Sequence, residues 1–210
     1  MSAREQILAD IRARKPSQGA ARPQPYSRAP NADDTVAYFQ QRATAAAAQV
    51  RVLSGPEEIA ASIAEILRAR NLPAEVHLPS DAMLKEISWA DAPGLSILHT
   101  VPNGDDVAIN HAPFAIAETG TLVYPASPDR PASWHFRPGL EIAVLAANNI
   151  HANLEDILAR LASSGGLPST INLVTGPSRT GDIEQTLELG AHGPKELVIL
   201  IVPSLGSDGI

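Results

Sequence analysis

Apolar residues recur along this chain with two different periods, and the changes of period mark out its elements. Ile59, Ile63, Ile66 and Leu67 share one face at helical spacing. Ser54 and Glu57, with Pro56 between them, form a capping box that opens this helix. Just before it, residues 49–53 alternate as a strand does, so the pair reads as a β-to-α unit. A helical pattern precedes that strand from Asp33 through Val36, Phe39 and the alanines at 43 and 45–48. Further strands are predicted at 75–78, 95–98, 107–110, 115–117, 121–124, 141–145, 171–174 and 197–202, with helices at 81–87 and 154–161. Several of the strands are apolar on both faces, which predicts an α/β fold built on an open, mostly parallel sheet flanked by helices.

The two ends of the chain follow different rules. Ser2 and Glu5 form another capping box, opening a short amphipathic helix over 1–15 with Ile7, Leu8 and Ile11 on one side. Pro16, Pro23, Pro25 and Pro30 make 16–32 a linker that cannot continue it. The helix reads either as a frayed end or as a piece that docks on a partner subunit. The main α/β domain is expected over 33–205, followed by a tail at 206–210.

Composition narrows the function classes. Charged residues are 19% of the chain, the net charge is −7 and aromatics are 4%, which disfavours both a nucleic-acid footprint and a base-stacking platform. There is no cysteine, so disulfides, a thiolate nucleophile and iron–sulfur clusters held by this chain are excluded. No apolar run reaches the length of a membrane span, and a cytoplasmic location is the default expectation.

Three polar clusters interrupt the apolar pattern. Ile171 to Val174 run into Thr-Gly-Pro-Ser-Arg-Thr-Gly-Asp-Ile-Glu at 175–184, which reads as a strand end, a polar loop and a helix start. Backbone N–H groups at such a junction favour an anion, and the Arg179 guanidinium suits a carboxylate or phosphate. The structural alternative is a capped helix in which Arg179 pairs with Asp182 or Glu184. Residues 114–124 place Glu118 and Gly120 between two apolar segments, and Gly-Ala-His-Gly-Pro at 190–194 precedes the last strand.

Taken together, Ala-Glu-Thr-Gly-Thr-Leu-Val at 117–123, Gly-Pro-Ser-Arg-Thr-Gly-Asp-Ile-Glu at 176–184 and Gly-Ala-His-Gly-Pro at 190–194 resemble the LUD domain of the lactate utilization protein C family. The resemblance extends over about residues 35–204, with small departures at Gly181 and Ala191 that touch no polar group. It implies the fold shared by sugar-phosphate isomerases of the ribose and glucosamine type and by coenzyme A transferases. It also implies a subunit of the machinery that oxidises L-lactate to pyruvate alongside iron–sulfur and cysteine-rich subunits, with the clusters on those partners and no cofactor on this chain. Neither a Gly-x-Gly-x-x-Gly fingerprint nor a thiolate set is present to hold an electron acceptor here.

The candidate site for a small anionic metabolite is then Thr119, Gly120, Thr121, Gly176, Ser178, Arg179, Thr180, His192 and Gly193, beyond the carboxyl ends of the sheet strands if those strands run parallel. Glu118 is the candidate catalytic group, and three readings of it stand. It lies near a bound ligand, it forms a salt bridge with Arg179 that ties two loops, or it attacks an acyl thioester as a similar turn does in coenzyme A transferases. The last makes the chain an independent acyl transferase or isomerase, and a non-catalytic assembly protein is a further reading.

Among the histidines, His77 and His99 fall in or beside strands and are expected to be structural. His151 is expected at the surface near a helix start, while His111, His135 and His192 fall in loops flanking the polar clusters. Ser178 and His192 lack the Gly-x-Ser-x-Gly turn of a hydrolase, and no ligand spacing predicts a metal. Trp134 to Arg137 read either as an aromatic plug on the sheet or as an interface or lid beside the crevice.

Overall fold

The computed structural model describes residues 2–14, 34–164, 166–181, 187–190 and 192–205. Its centre is a parallel sheet of six strands, β1 (Gln49–Val52), β2 (Glu75–His77), β3 (Ser96–Leu98), β4 (Val107–Ala112), β7 (Leu140–Ala146) and β12 (Glu196–Val202). They lie in the order β1–β12–β7–β4–β2–β3. The parity of β12 explains why it reads as a continuous apolar run. Val198, Leu200 and Val202 enter the core against helix α3 (Ile59–Ala69), while Leu197, Ile199 and Ile201 enter the core on the opposite face.

The open parallel sheet flanked by helices is as expected, and its opposite face is covered in addition by a second, smaller sheet that the sequence reading did not separate from it. β5 (Phe114–Ile116), β6 (Thr121–Pro125), β8 (Ile150–His151) and β9 (Ile171–Val174) form a separate layer in the order β8–β5–β6–β9. β6 runs antiparallel to both β5 and β9. The four-residue turn at 117–120 reverses the chain between β5 and β6, which no parallel arrangement permits. Helix α6 (Leu154–Ser163), capped by Asn153 accepting from Asp156 N at 3.0 Å, covers the outer face, burying Ile157 among Phe114, Ile116 and Val123. His151, expected at the surface, is half-buried in β8.

Helix α2 (Thr35–Ala45) is capped by Asp34 and seats Phe39 and Ala43, both fully buried, in the core between the sheets. Helix α3 begins through a 3-10 turn at Pro56–Glu58, and it is Glu58 rather than Glu57 that accepts from Ser54 N, at 3.0 Å. Helix α1 (Ala3–Arg14) has its capping box, with Ser2 N donating to Glu5 at 2.7 Å, and Ile7, Leu8 and Ile11 are exposed. The predicted linker and the tail lie outside the described residues. No helix among the described residues is long and apolar enough to cross a membrane.

Candidate functional site

The end of α2 gathers two of the three polar clusters. Gly120 has φ +67°, and a Cβ there would strike the backbone of Arg42 and Ala43. Gly176 has φ +76°, and a Cβ there would strike the carbonyl of Ala46. Both positions therefore need glycine for conformation and for space. Arg42 Nε donates to the carbonyl of Glu118 at 2.9 Å, fixing the first turn to the same helix. Because Leu122 pairs with Val174, the start of β6 lies beside the residue immediately after β9. A chain of hydroxyls results: Thr119 to Thr121 at 2.7 Å and Thr121 to Thr175 at 2.7 Å.

The third cluster docks on the second. Ser178 N donates to the carbonyl of Pro194 at 2.8 Å, Gly190 N to that of Ser178 at 3.1 Å, and His192 N to Ser178 Oγ at 3.3 Å. Gly193 is buried, and a Cβ there would lie 3.2 Å from that of Ser178. The polar loop expected here is in part a strand, and the helix start expected beyond it lies outside the described residues. Arg179, Thr180 and Gly181 form β10 (Arg179–Gly181), which pairs antiparallel with β11 (Leu187–Leu189). Thr180 is β-branched and Gly181 is a poor helix former, while Leu187 and Leu189 alternate about Glu188 as a strand requires. Asp182 and Glu184, the alternative partners for Arg179, lie outside the described residues.

Thr175, Gly176, Ser178, Arg179, His192 and Gly193 line one cleft of about 470 Å³, together with Ala46, His135 and Phe136. Its place differs from the expectation. Ala46 precedes β1, His135 and Phe136 precede β7, and His192 and Gly193 precede β12, so the cleft opens at the amino-terminal edge of the parallel sheet. The carboxyl-end rule applies to loops that leave parallel strands, and these loops enter them. Glu118, Thr119, Gly120 and Thr121 are not among the cleft-lining residues, and the hydroxyl chain connects them to it through Thr175. Among the described residues no ion pair joins Glu118 to Arg179; Glu118 is half-buried and Arg179 exposed.

Behind the cleft wall is a polar cluster that sequence reading did not assemble. Glu141, in β7, is fully buried, and its Oε1 accepts from Asn110 Nδ2 at 3.0 Å, Tyr124 OH at 3.1 Å and His135 Nδ1 at 2.9 Å. Burial, followed by the Glu141 charge, pushes the Tyr124 hydroxyl well above the ordinary tyrosine range, so it remains a donor. The available signal was Glu141 itself, a carboxylate inside a strand otherwise apolar on both faces, which must have buried partners. His135 sits in helix α5 (Ser133–Phe136) rather than in a loop. Trp134 is buried as a plug, with its carbonyl accepting from Asn110, whereas Phe136 is exposed and lines the cleft.

A second buried group lies toward the carboxyl ends of β2 and β4. Asp81 accepts from Arg130 at 3.0 Å and from His111 Nδ1 at 3.4 Å, and caps helix α4 (Ala82–Lys85) by accepting from Met83 N at 2.8 Å. Although burial raises its pKa, His111 and Arg130 together outweigh that and hold it at about 2. His111 lies within β4 and not in a loop. His77 and His99 are structural as expected, donating from Nδ1 to the carbonyls of Thr100 at 2.7 Å and Leu78 at 3.1 Å.

Comparison with known proteins agrees with this architecture. The LUD domain family model matches residues 103–202. Lactate utilization protein C of Shouchella clausii is 32% identical over 100 residues, 46% of this chain and 44% of that protein. Its namesake in Bacillus subtilis is 34% identical over 101 residues, 46% of this chain and 42% of that protein. An uncharacterized protein of Neisseria meningitidis serogroup B is 33% identical over 98 residues, 46% of this chain and 42% of that protein. The matches thus span about half the length of these curated relatives, or somewhat less. The crystal structure of a DUF162 family protein from Deinococcus radiodurans superposes with a TM-score of 0.59 at 21% identity, covering 85% of this chain and 99% of that one, which shows a shared fold. The matched segment carries every cleft-lining residue except Ala46, and over that segment the chain is similar to the LUD domain family.

Proposed function

We propose that this chain acts in lactate utilization as an accessory, substrate-organising subunit that holds a small carboxylate in the cleft at the amino-terminal edge of its sheet. The carrying observation is that Thr175, Ser178, Arg179 and His192, drawn from two separate loops, line one cleft with Gly176 and Gly193. A guanidinium offers a carboxylate two parallel hydrogen bonds, and hydroxyls with backbone N–H groups complete an anion cradle. The name lactate utilization protein C, carried by two of these relatives, supports the pathway. Electron removal from lactate then takes place on partner subunits with iron–sulfur clusters, since this chain has no cysteine to hold one.

Dye reduction dependent on L-lactate tests this reading, with the iron–sulfur and cysteine-rich partners purified with and without the chain. Activity that requires the chain and falls at least tenfold with Arg179→Ala, while the partners still assemble, supports it. Full activity without the chain overturns it. Turnover of an acyl-coenzyme A donor by the isolated chain, with an adduct on Glu118, identifies an independent transferase instead.

A further inference from the structure

We infer that α1 docks in the groove between α3 and the 3-10 turn Trp89–Asp91 of a second copy of this chain, so that two chains exchange their amino-terminal helices. This surface stands apart from the cleft, with which the groove shares no lining residue.

The first observation is a helix with nothing to cover it. None of the 12 residues of α1 is buried, and Ile7, Leu8 and Ile11 are 59%, 37% and 60% exposed. Isolated helices of this length are marginal in water, so such a helix gains its stability from packing. Arg4, Ile7, Leu8, Ile11 and Arg14 recur at helical spacing on one face, and Glu5 and Asp10 fall off it. That face is apolar at its centre and basic at both ends. Charge is divided in the same sense along the chain. Residues 1–32 carry six Lys and Arg against two Asp and Glu, a net charge of +4, while residues 33–210 carry ten against 21, a net charge of −11.

The second observation is a groove of about 440 Å³ that fits this face. Glu58, Ala61, Ser62, Glu65 and Arg68 follow one another along α3 and its entry turn at the same helical spacing. The small side chains of Ala61, Ala64 and Ala92 leave room for the larger ones of Ile7, Leu8 and Ile11. Glu58, Glu65 and Asp91 are exposed at the rim, opposed there by one cation, Arg68. Glu65 pairs with Arg51 at 2.8 Å, yet its side chain remains 66% exposed. A helix face that is apolar in the middle and basic at its ends thus meets a groove with a small apolar floor and an acidic rim. With every residue of α1 exposed, the helix does not occupy its own groove. The 19 residues at 15–33 can span at most about 65 Å, enough to reach a neighbour. Two bodies of like charge repel, and helices of the opposite sign supply the attraction.

Sedimentation equilibrium of the full chain is expected to show a dimer at about 50 mM salt whose dissociation constant rises about tenfold or more by about 0.5 M, because screening shortens the reach of charge. Arg4→Glu with Arg14→Glu, and separately Glu65→Lys with Asp91→Lys, should each weaken the dimer about tenfold or more, and the four together should restore it. All four positions are exposed, so these changes leave the core untouched, and Glu58 is kept because it caps the entry to α3. A chain that is monomeric at both salt concentrations overturns the proposal. So does a dimer indifferent to either pair of substitutions, or one that the four together do not restore. Since the chain has no cysteine, Ile11→Cys with Ala61→Cys adds a readout of position on oxidation. A disulfide between two chains is the expected product. An intramolecular disulfide places α1 in its own groove and overturns the exchange, and failure to form either one refutes the contact between α1 and α3.

Discussion

Asp81→Asn separates charge from shape at the carboxyl end of the sheet. Asp81 is 1% exposed and accepts from Arg130, His111 and Met83 N, and an asparagine oxygen can retain the cap on α4. Asparagine removes the ionisation. Burial raises the carboxyl's pKa, and the contacts with His111 and Arg130 more than offset it, leaving about 2 against an ordinary 3.8. Each pKa unit corresponds to about 1.4 kcal/mol, so the ionised form contributes about 2 kcal/mol to folding. The folded pKa lies below the unfolded one, so the contribution is complete above the unfolded value and is lost as pH falls toward the folded one. Urea unfolding of wild type and variant, followed by tryptophan fluorescence, should show a stability difference that is constant between about pH 7 and 5. It should then shrink by about 2 kcal/mol as pH falls from about 5 to 2. A difference that holds its size throughout that descent would mean that Asp81 does not derive its stability from the charges of His111 and Arg130, refuting this electrostatic reading.

Gly120→Ala forces a left-handed residue with a side chain against the backbone of α2, and should destabilise the fold by about 3 kcal/mol or more in urea melts. Phe39→Ala empties the position where α2 enters the core between the sheets, and the same melts should report a loss of about 3–5 kcal/mol. Tyr124→Phe should leave the amplitude of the phenolate absorbance rise around pH 10 unchanged, because burial and the Glu141 charge hold the hydroxyl protonated there. The variant should unfold about 1 kcal/mol more readily for the lost donor to Glu141.

Much of the layer structure was legible because it depends on local pattern. The doubly apolar strands β7 and β12 and the stripe of α3 are found where periodicity puts them, since each face of those strands meets a core. Strand partnership was not legible. Ile171 to Val174 looks the same whether it joins the parallel sheet or pairs with β6 across a layer, and the choice is made by contacts distant in sequence. β10 went unread for a related reason, since a polar loop after a strand announces a turn without specifying the next element. At the site, the motifs at 175–179 and 190–194 were individually visible and do meet. The cluster around Glu141 was not visible because its four members, Asn110, Tyr124, His135 and Glu141, come from β4, β6, α5 and β7, and only the fold brings them together.

A ligand held at the amino-terminal edge of the sheet should be seen first in backbone amide chemical shifts on adding L-lactate. The amides of Gly176, Ser178, His192 and Gly193 are expected to move together and saturate with one affinity. Shifts centred instead on Asp81, Met83 and His111, at the opposite edge, would contradict it.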